Sequence, residues 1–127
     1  MSKILTVCSQ GLCRSVGLAD VLKLHFEPVD VIPVGVAKNA NSPDTLIMLC
    51  HWADHIISME PIIQQRLQER TGLDLITDIS GSRHICDVGP DTYGGRNNRI
   101  HVLIDKVWRW TRENQDKLGI KEHTKRL

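Results

Sequence analysis

The stretch VCSQGLCRSVGLADVL, Val7 to Leu22, decides the fold, because an apolar run passes through a short polar turn into a helical pattern. The run that leads into it, Ile4 to Val7, is apolar and rich in β-branched residues, which predicts a buried strand. After Arg14, apolar side chains recur at helical spacing, and this pattern predicts a helix as far as Phe26. The turn between the two elements carries Cys8, and its chemistry is considered below.

The rest of the chain alternates strand-like and helix-like segments. The further strands are predicted at Val29–Val36, His55–Met59 and Arg83–Val88, and the further helices at Pro43–Trp52 with Ser42 as cap, Pro61–Arg70 ending near Gly72, and Ile100–Leu118. This order predicts one α/β domain over residues 1–127, with a parallel sheet covered by helices on both faces. Pro33 indicates that the second strand lies at an edge of the sheet.

The composition excludes two classes of partner. Sixteen basic and 15 acidic residues give a formal charge of +1, without the basic excess of a nucleic-acid-binding domain. No stretch approaches the roughly 20 apolar residues of a membrane span, so neither nucleic acid nor membrane is expected as a partner.

Only Lys3 precedes the first apolar run, which indicates a strand rather than a signal peptide. A cytoplasmic location with four reduced cysteines is therefore expected.

The turn from Cys8 to Arg14 combines a nucleophile with an anion-binding site. Unpaired N–H groups of the turn and of the following helix, together with the helix dipole, favour a tetrahedral oxyanion. Arg14 adds a planar fork that can hold two oxygens. The same positive field favours a thiolate at Cys8, to which Ser15 can donate a hydrogen bond. Gly11 suits a loop that wraps an anion, because such a loop usually needs a positive φ. A buried strand-end cysteine followed by an ordinary loop is the alternative.

Three motifs carry a resemblance to a known family. C-x-x-x-x-x-R-S, from Cys8 to Ser15, resembles the phosphate loop of the low-molecular-weight protein tyrosine phosphatases. Trp52 to Leu67 (WADHIISMEPIIQQRL) is similar to the family's A-D-x-I-x-x-M strand and the helix after it, and Asp91 to Gly95 (DTYGG) to its Asp-Pro-Tyr loop. The resemblance covers nearly the whole chain, which looks like a compact bacterial member. It implies a three-layer α/β sandwich with a four-stranded parallel sheet in the order 2-1-3-4.

The resemblance also implies a phosphatase mechanism that needs no metal and no cofactor. Cys8 would attack phosphorus, Arg14 would stabilise the phosphate oxygens, and Asp91 would act as general acid and then as general base. The phosphate-binding residues that it implies are Ser9, Gln10, Gly11, Leu12, Cys13, Arg14 and Ser15. Thr92 follows the acid where the family has proline, so Asp87 is kept as the alternative acid.

The substrate implied is a phosphomonoester, either phosphotyrosine in a phosphorylated protein or a small aryl phosphate. Tyr93, beside the acid, would supply one aromatic wall of the substrate site. The loop from Val36 to Asp44, where a second wall is expected, contains no aromatic residue. Gly11 stands where the family has a loop asparagine and Val16 where it has proline, and losing the asparagine's hydrogen bonds predicts slower turnover.

The remaining cysteines and the histidines leave some alternatives open. Cys13 either packs in the loop or acts as a redox partner that traps oxidised Cys8 in a reversible disulfide. Cys50 and Cys86 are predicted to be small core residues, and they lie too far apart to be the extra cysteine pair of the related arsenate reductases. A phosphocysteine carrier and a non-catalytic phosphate-binding module are further alternatives. No metal-binding pattern joins the six histidines, which are His25, His51, His55, His84, His101 and His123.

Overall fold

The computed structural model describes residues 1–74, 82–94 and 98–123. The strands are β1 (Ser2–Cys8), β2 (Phe26–Glu27), β3 (Val29–Gly35), β4 (His55–Ser58), β5 (Arg83–Ile85) and β6 (Lys121–Glu122). The helices are α1 (Arg14–His25), α2 (Pro43–Trp52), α3 (Pro61–Thr71) and α4 (Ile100–Leu118). Gly95, the last residue of the Asp91–Gly95 motif, lies outside the described residues.

Four parallel strands form the main sheet in the order β3-β1-β4-β5. Counted among these four alone, the order is 2-1-3-4, which confirms the predicted α/β sandwich. Pro33 lies in β3, an edge strand as predicted. Cys8 at the end of β1 pairs with Gly35 at the end of β3, and Val7 pairs with Ser58 at the end of β4. The carboxyl ends of three strands therefore meet where the Cys8–Ser15 motif begins.

Each face of the sheet is buried against one pair of helices. Ile4 of β1 lies in a core cluster with residues of α1 and α4, whereas the next residue, Leu5, lies in a cluster with residues of α2 and α3. This alternation follows from the two-residue period of a strand. Cys50 and Cys86 are buried in these cores as predicted, and burial raises the pKa of the Cys50 thiol to about 11 and that of Cys86 to about 12. Thiols of this kind are unreactive at neutral pH.

Two helix ends follow signals that the sequence carries. Ser42 caps α2, and its Oγ accepts the N–H of Thr45 at 3.2 Å, with Pro43 as the first helical residue. Gly72 ends α3 with a φ of +73°, the left-handed conformation that glycine adopts without strain.

The last strand of the main sheet is shorter than predicted, since β5 ends at Ile85 and not at Val88. Cys86 and Val88 are buried while Asp87 between them is exposed, which produces the alternating pattern of a strand. Their N–H groups still donate to the carbonyls of Ser58 and Met59, at 2.8 and 3.1 Å. The chain thus leaves the sheet gradually and enters the segment that carries the predicted acid.

A second, antiparallel pair joins β2 to β6 and was not predicted. Each strand has two residues, too few for an alternating pattern to show. Phe26, expected at the end of the first helix, instead begins β2 and is buried. Among the described helices, none combines the length and the apolar character needed to cross a membrane.

Candidate active site

Cys8 lies at the bottom of the loop that connects β1 to α1, which we call the phosphate loop (residues 8–15). Its side chain is 1% exposed, and its Sγ lies 3.1 Å from the Oγ of Ser15. The N–H of Gly11 donates to the same sulfur at 3.2 Å. A backbone amide and a hydroxyl therefore converge on Cys8, and both can donate to a thiolate.

Two glycines allow the phosphate loop to lie directly on the end of β3. Gly11 has a φ of +75°, as predicted, and a Cβ there would come within 2.8 Å of the Gly35 nitrogen. A Cβ on Gly35 would lie 2.3 Å from the carbonyl carbon of Gln10. The N–H groups of Val36 and Ala37 donate to the carbonyls of Cys8 and Ser9, at 2.9 and 2.8 Å. Gly35 is a site residue that the sequence reasoning missed, although a glycine that ends an apolar strand was an available signal.

The other loop positions have the surroundings expected of a backbone cradle. Cys13 precedes the first residue of α1 and makes no side-chain cap. The first N–H groups of a helix have no partner within the helix, and here the side chain of Cys13 does not occupy them. Gln10 and Leu12 are exposed, Leu12 to 79%. Ser9 is half-buried and Ser15 fully buried. The predicted phosphate-binding residues form one continuous loop, and two of them, Gly11 and Ser15, contact the Cys8 sulfur; their role in binding phosphate stays a prediction.

Arg14 is buried, with 2% of its side chain exposed, and is held through one corner of the guanidinium. Its Nη1 donates to Glu60 Oε1 at 2.7 Å and to the carbonyl of Gly89 at 2.8 Å. Its Nε is buried and has no hydrogen-bond partner among the described residues. An unpaired buried donor is costly, and an oxyanion in the phosphate loop would pair with it. Glu60, two residues after the end of β4, was missed by the sequence reasoning; an acid between a strand end and Pro61 was the available signal.

Asp91, and not Asp87, contacts the phosphate loop. Burial raises the pKa of the Cys13 thiol, and the charge of Asp91 and its hydrogen bond to that thiol raise it further, as does the neighbouring Cys8, while Arg14 opposes the effect. Asp87 Oδ1 instead accepts the N–H of Gly89 at 3.0 Å, a local turn contact. Both carboxylates are exposed. The arrangement favours Asp91 as the acid, and its role remains a prediction.

Tyr93 does not lie where a substrate wall would lie, and this corrects the sequence-based expectation. The ring is 2% exposed and belongs to the core cluster on the α1 and α4 face. Its hydroxyl donates to the carbonyl of Val88 and accepts from the Nζ of Lys106 at 3.1 Å. The motif places a tyrosine beside the acid, but packing turns its side chain inward, because the ring is buried and the hydroxyl is satisfied there.

Two histidines that the sequence treats separately lie in contact at the other end of the sheet. The Nδ1 of His55 is 3.0 Å from the Nε2 of His84, and Trp110 packs edge-on against His84. Burial, followed by the neighbouring His55, lowers the pKa of His84 to about 4, and burial also lowers the pKa of His55. In the part of the chain that the structure describes, no three His, Cys, Asp or Glu side chains form a group that could hold a metal ion.

The sequence matches no family model and no curated protein, but the structure resembles known phosphatases. One is Erwinia amylovora tyrosine phosphatase AmsI, with 13% identity and a TM-score of 0.61, over 94% of this chain and 95% of that chain. Another is Vibrio vulnificus Wzb in complex with benzylphosphonate, with 17% identity and a TM-score of 0.57, over 88% and 98%. The chain has the fold of the low-molecular-weight protein tyrosine phosphatases.

A third solved structure of this fold is a variant of YwlE arginine phosphatase with a phosphorylated active-site serine. It has 15% identity and a TM-score of 0.54, over 89% of this chain and 95% of that chain. The resemblance that the three sequence motifs suggested is thus confirmed in the fold. At 13–17% identity, these likenesses establish the fold, and the activity is argued from the site itself.

Proposed function

We propose that this protein is a cysteine-dependent phosphatase that hydrolyses phosphomonoesters through a phosphocysteine intermediate. The observation that carries the proposal is the geometry around Cys8. A buried sulfur with two donors lies in the same loop as a buried arginine whose Nε has no described partner. A nucleophile and a binding site for a tetrahedral oxyanion are thereby combined. The phosphorylated serine in the active site of the YwlE variant, a protein of the same fold, supports a covalent step in the reaction.

In the first step, the Cys8 thiolate forms a bond to phosphorus while the bond from phosphorus to the leaving oxygen breaks. The N–H groups of the phosphate loop and the guanidinium of Arg14 stabilise the equatorial oxygens, which carry the developing charge. The carboxylic acid of Asp91 gives its proton to the leaving oxygen, so that an alcohol departs.

In the second step, water hydrolyses the phosphocysteine. The Asp91 carboxylate takes a proton from the water, whose oxygen attacks phosphorus. The bond between sulfur and phosphorus breaks, inorganic phosphate leaves, and Cys8 returns as a thiolate. Ser15 and the Gly11 N–H stabilise that thiolate, because both lie within hydrogen-bond distance of the sulfur.

We propose protein phosphotyrosine, or a small aryl phosphate, as the substrate. AmsI is described as a tyrosine phosphatase, and benzylphosphonate in Wzb is a phenyl-bearing phosphonate. YwlE is described as an arginine phosphatase, so phosphoarginine is the substrate to compare directly. A cytoplasmic setting suits the reaction, because the Cys8 thiol has to be reduced.

We also propose Cys13 as a redox partner of Cys8. After a peroxide converts the Cys8 thiolate to a sulfenic acid, the Cys13 thiol would condense with it to a disulfide and release water. Peroxide-treated wild type should recover activity with dithiothreitol, whereas Cys13→Ser should recover less, because its sulfenic acid oxidises further. Equal recovery of the two proteins would contradict the proposal.

The test of the phosphatase activity is hydrolysis of para-nitrophenyl phosphate with reductant and a metal chelator. Wild type should turn over, and Cys8→Ser should fall to background. Cys50→Ser is the matched control, since it makes the same change at a buried cysteine of the other core cluster, and it should retain activity when folded. Absence of turnover by folded, reduced wild type would overturn the proposal.

A further inference from the structure

Residues 86–94, the segment that carries Asp91, are here called the acid loop. A hydrogen bond from Tyr93 connects the two ends of this loop. The Tyr93 hydroxyl reaches back to the carbonyl of Val88, five residues earlier in the chain. Val88 and Tyr93 are both buried, at 3% and 2% exposure, whereas Asp91 between them is exposed. The exposed acid therefore lies on a short turn with both ends fixed in the core.

The polarity of the Tyr93 hydroxyl is fixed from two sides. Lys106 can only donate, so at 3.1 Å its ammonium occupies the acceptor side of the hydroxyl oxygen. The hydroxyl proton is therefore directed to the Val88 carbonyl. The Lys106 ammonium and the Arg99 guanidinium also lie 5.5 and 5.6 Å from the centre of the ring. Both are within the range of a cation–π contact, which favours the observed position of the ring.

Backbone contacts hold the two ends of the loop as well. The carbonyl of Gly89 accepts from Arg14 at 2.8 Å, which ties one end to the phosphate loop. The carbonyl of Tyr93 accepts the N–H of Arg99 at 2.8 Å, which ties the other end to the start of α4. Asp91 thus lies between two held points of the loop, and the hydrogen bond from the Tyr93 hydroxyl to the Val88 carbonyl links the two ends of the loop directly.

We propose that Tyr93 is a positioning residue for Asp91, and not a wall of the substrate site; the inference rests on the proposed phosphatase function. A general acid works only within hydrogen-bond reach of the atom that it protonates. A misplacement of about 1 Å can cost on the order of a hundredfold in rate. By closing the turn, the buried hydroxyl keeps the carboxyl group beside the leaving oxygen without itself touching the substrate.

Tyr93→Phe tests this role, because it removes the hydroxyl and keeps the ring. The assay compares two substrates, phenyl phosphate and dinitrophenyl phosphate. Phenolate is a poor leaving group that needs a proton, whereas dinitrophenolate leaves without one. We expect kcat/KM, which covers only the steps up to formation of the phosphocysteine, to fall about tenfold for phenyl phosphate and less than about twofold for dinitrophenyl phosphate. In an Asp91→Asn background, Tyr93→Phe should cause no further loss with phenyl phosphate, since the acid is already absent.

Each outcome of this assay decides a specific claim. Equal losses on both substrates, or no loss on either, would overturn the positioning role. Wild-type protein that hydrolyses neither substrate would overturn the phosphatase function and this inference with it. If Tyr93→Phe does not fold, Lys106→Met carries the test. This variant should lower the ratio of kcat/KM for phenyl phosphate to kcat/KM for dinitrophenyl phosphate about two- to threefold. An unchanged ratio would overturn the proposal. Lys23→Met, at an exposed position in the last turn of α1, is the matched control.

Discussion

The phosphate loop and the acid loop are built in different ways. The phosphate loop is contiguous: its central sulfur is held by Gly11 and Ser15, which lie three and seven residues after Cys8. The acid loop is held from a distance, since Gly89 is bonded to an arginine 75 residues away and the Tyr93 hydroxyl to a lysine on α4. One site thus combines a local motif with a segment that the tertiary structure positions.

This difference explains which half of the chemistry a sequence motif can reveal. A loop whose geometry depends on neighbours in the chain appears as a spaced pattern of residue types. When the geometry of a loop depends on partners far away in the chain, its sequence reveals which residue is the acid. The sequence does not reveal where the side chains around that acid lie. Arg14 connects the two loops. It is a residue of the phosphate loop, and its Nη1 donates both to Glu60 and to a carbonyl of the acid loop.

The largest effect is expected from Arg14→Lys, which acts on both loops at once. Lysine keeps the charge but loses the planar fork and the bonds that it makes in two directions. We expect kcat/KM for para-nitrophenyl phosphate to fall about 10³-fold. Steady-state kinetics measure this, with Arg109→Lys, 70% exposed on α4, as the control. A loss below about tenfold would show that the fork is not essential.

A second pair of variants separates the two acids of the acid loop. Asp91→Asn should lower kcat for phenyl phosphate about a hundredfold, because the leaving phenolate then departs without a proton. Asp87→Asn should change it less than about threefold, because Asp87 contacts Gly89 in a local turn. The same assay measures both. A larger loss in Asp87→Asn than in Asp91→Asn would assign the acid to Asp87.

Much of the fold, and nearly all of the phosphate loop, could be predicted from the sequence. Apolar runs and helical periodicity predict the main-sheet strands and their helices, and Gly11 has the predicted positive φ. Three features were not predicted. The β2–β6 pair is too short for a pattern, Glu60 meets Arg14 only once β4 lies beside β1, and Tyr93 turns inward because Val88 and Lys106 satisfy its hydroxyl. Each depends on contacts between residues far apart in the chain, or on side-chain direction.

A smaller effect is expected from Glu60→Gln, which tests the remote support of Arg14. Glutamine keeps an oxygen acceptor but removes the charge that strengthens the 2.7 Å contact. We expect kcat to fall about tenfold, with inhibition by inorganic phosphate changed less than about threefold, because the Gly89 carbonyl still holds the guanidinium. Glu69→Gln, exposed on α3, is the control. An unchanged kcat would show that Arg14 needs no acidic partner.

The smallest effect concerns β5, the strand that leads into the acid loop. Because the pKa of folded His84 is lowered to about 4 from 6.5, the unfolded chain binds a proton more readily between these values. Stability should therefore fall as the pH falls through this window. Urea denaturation should show wild type losing about 1 kcal/mol more than His84→Gln between pH 7 and pH 5, after allowance for the partial exposure of the ring.

The control for this prediction is His51→Gln, because His51 is exposed at the end of α2. It should keep the wild-type dependence on pH. If the free energy of unfolding changes with pH by the same amount in wild type and in His84→Gln, a neutral histidine pair between β4 and β5 is contradicted.

The central claim is that Cys8 attacks phosphorus while Asp91 acts from a separately held loop. The most direct test is acid quenching of Asp91→Asn during turnover of dinitrophenyl phosphate, followed by peptide mass spectrometry. The intermediate forms without an acid because the leaving group is good, and it decays slowly without a base. We predict one phosphoryl group on the peptide that contains Cys8, and none in Asp91→Asn that also carries Cys8→Ser. Turnover with the phosphoryl group on another residue, or on none, would contradict this account.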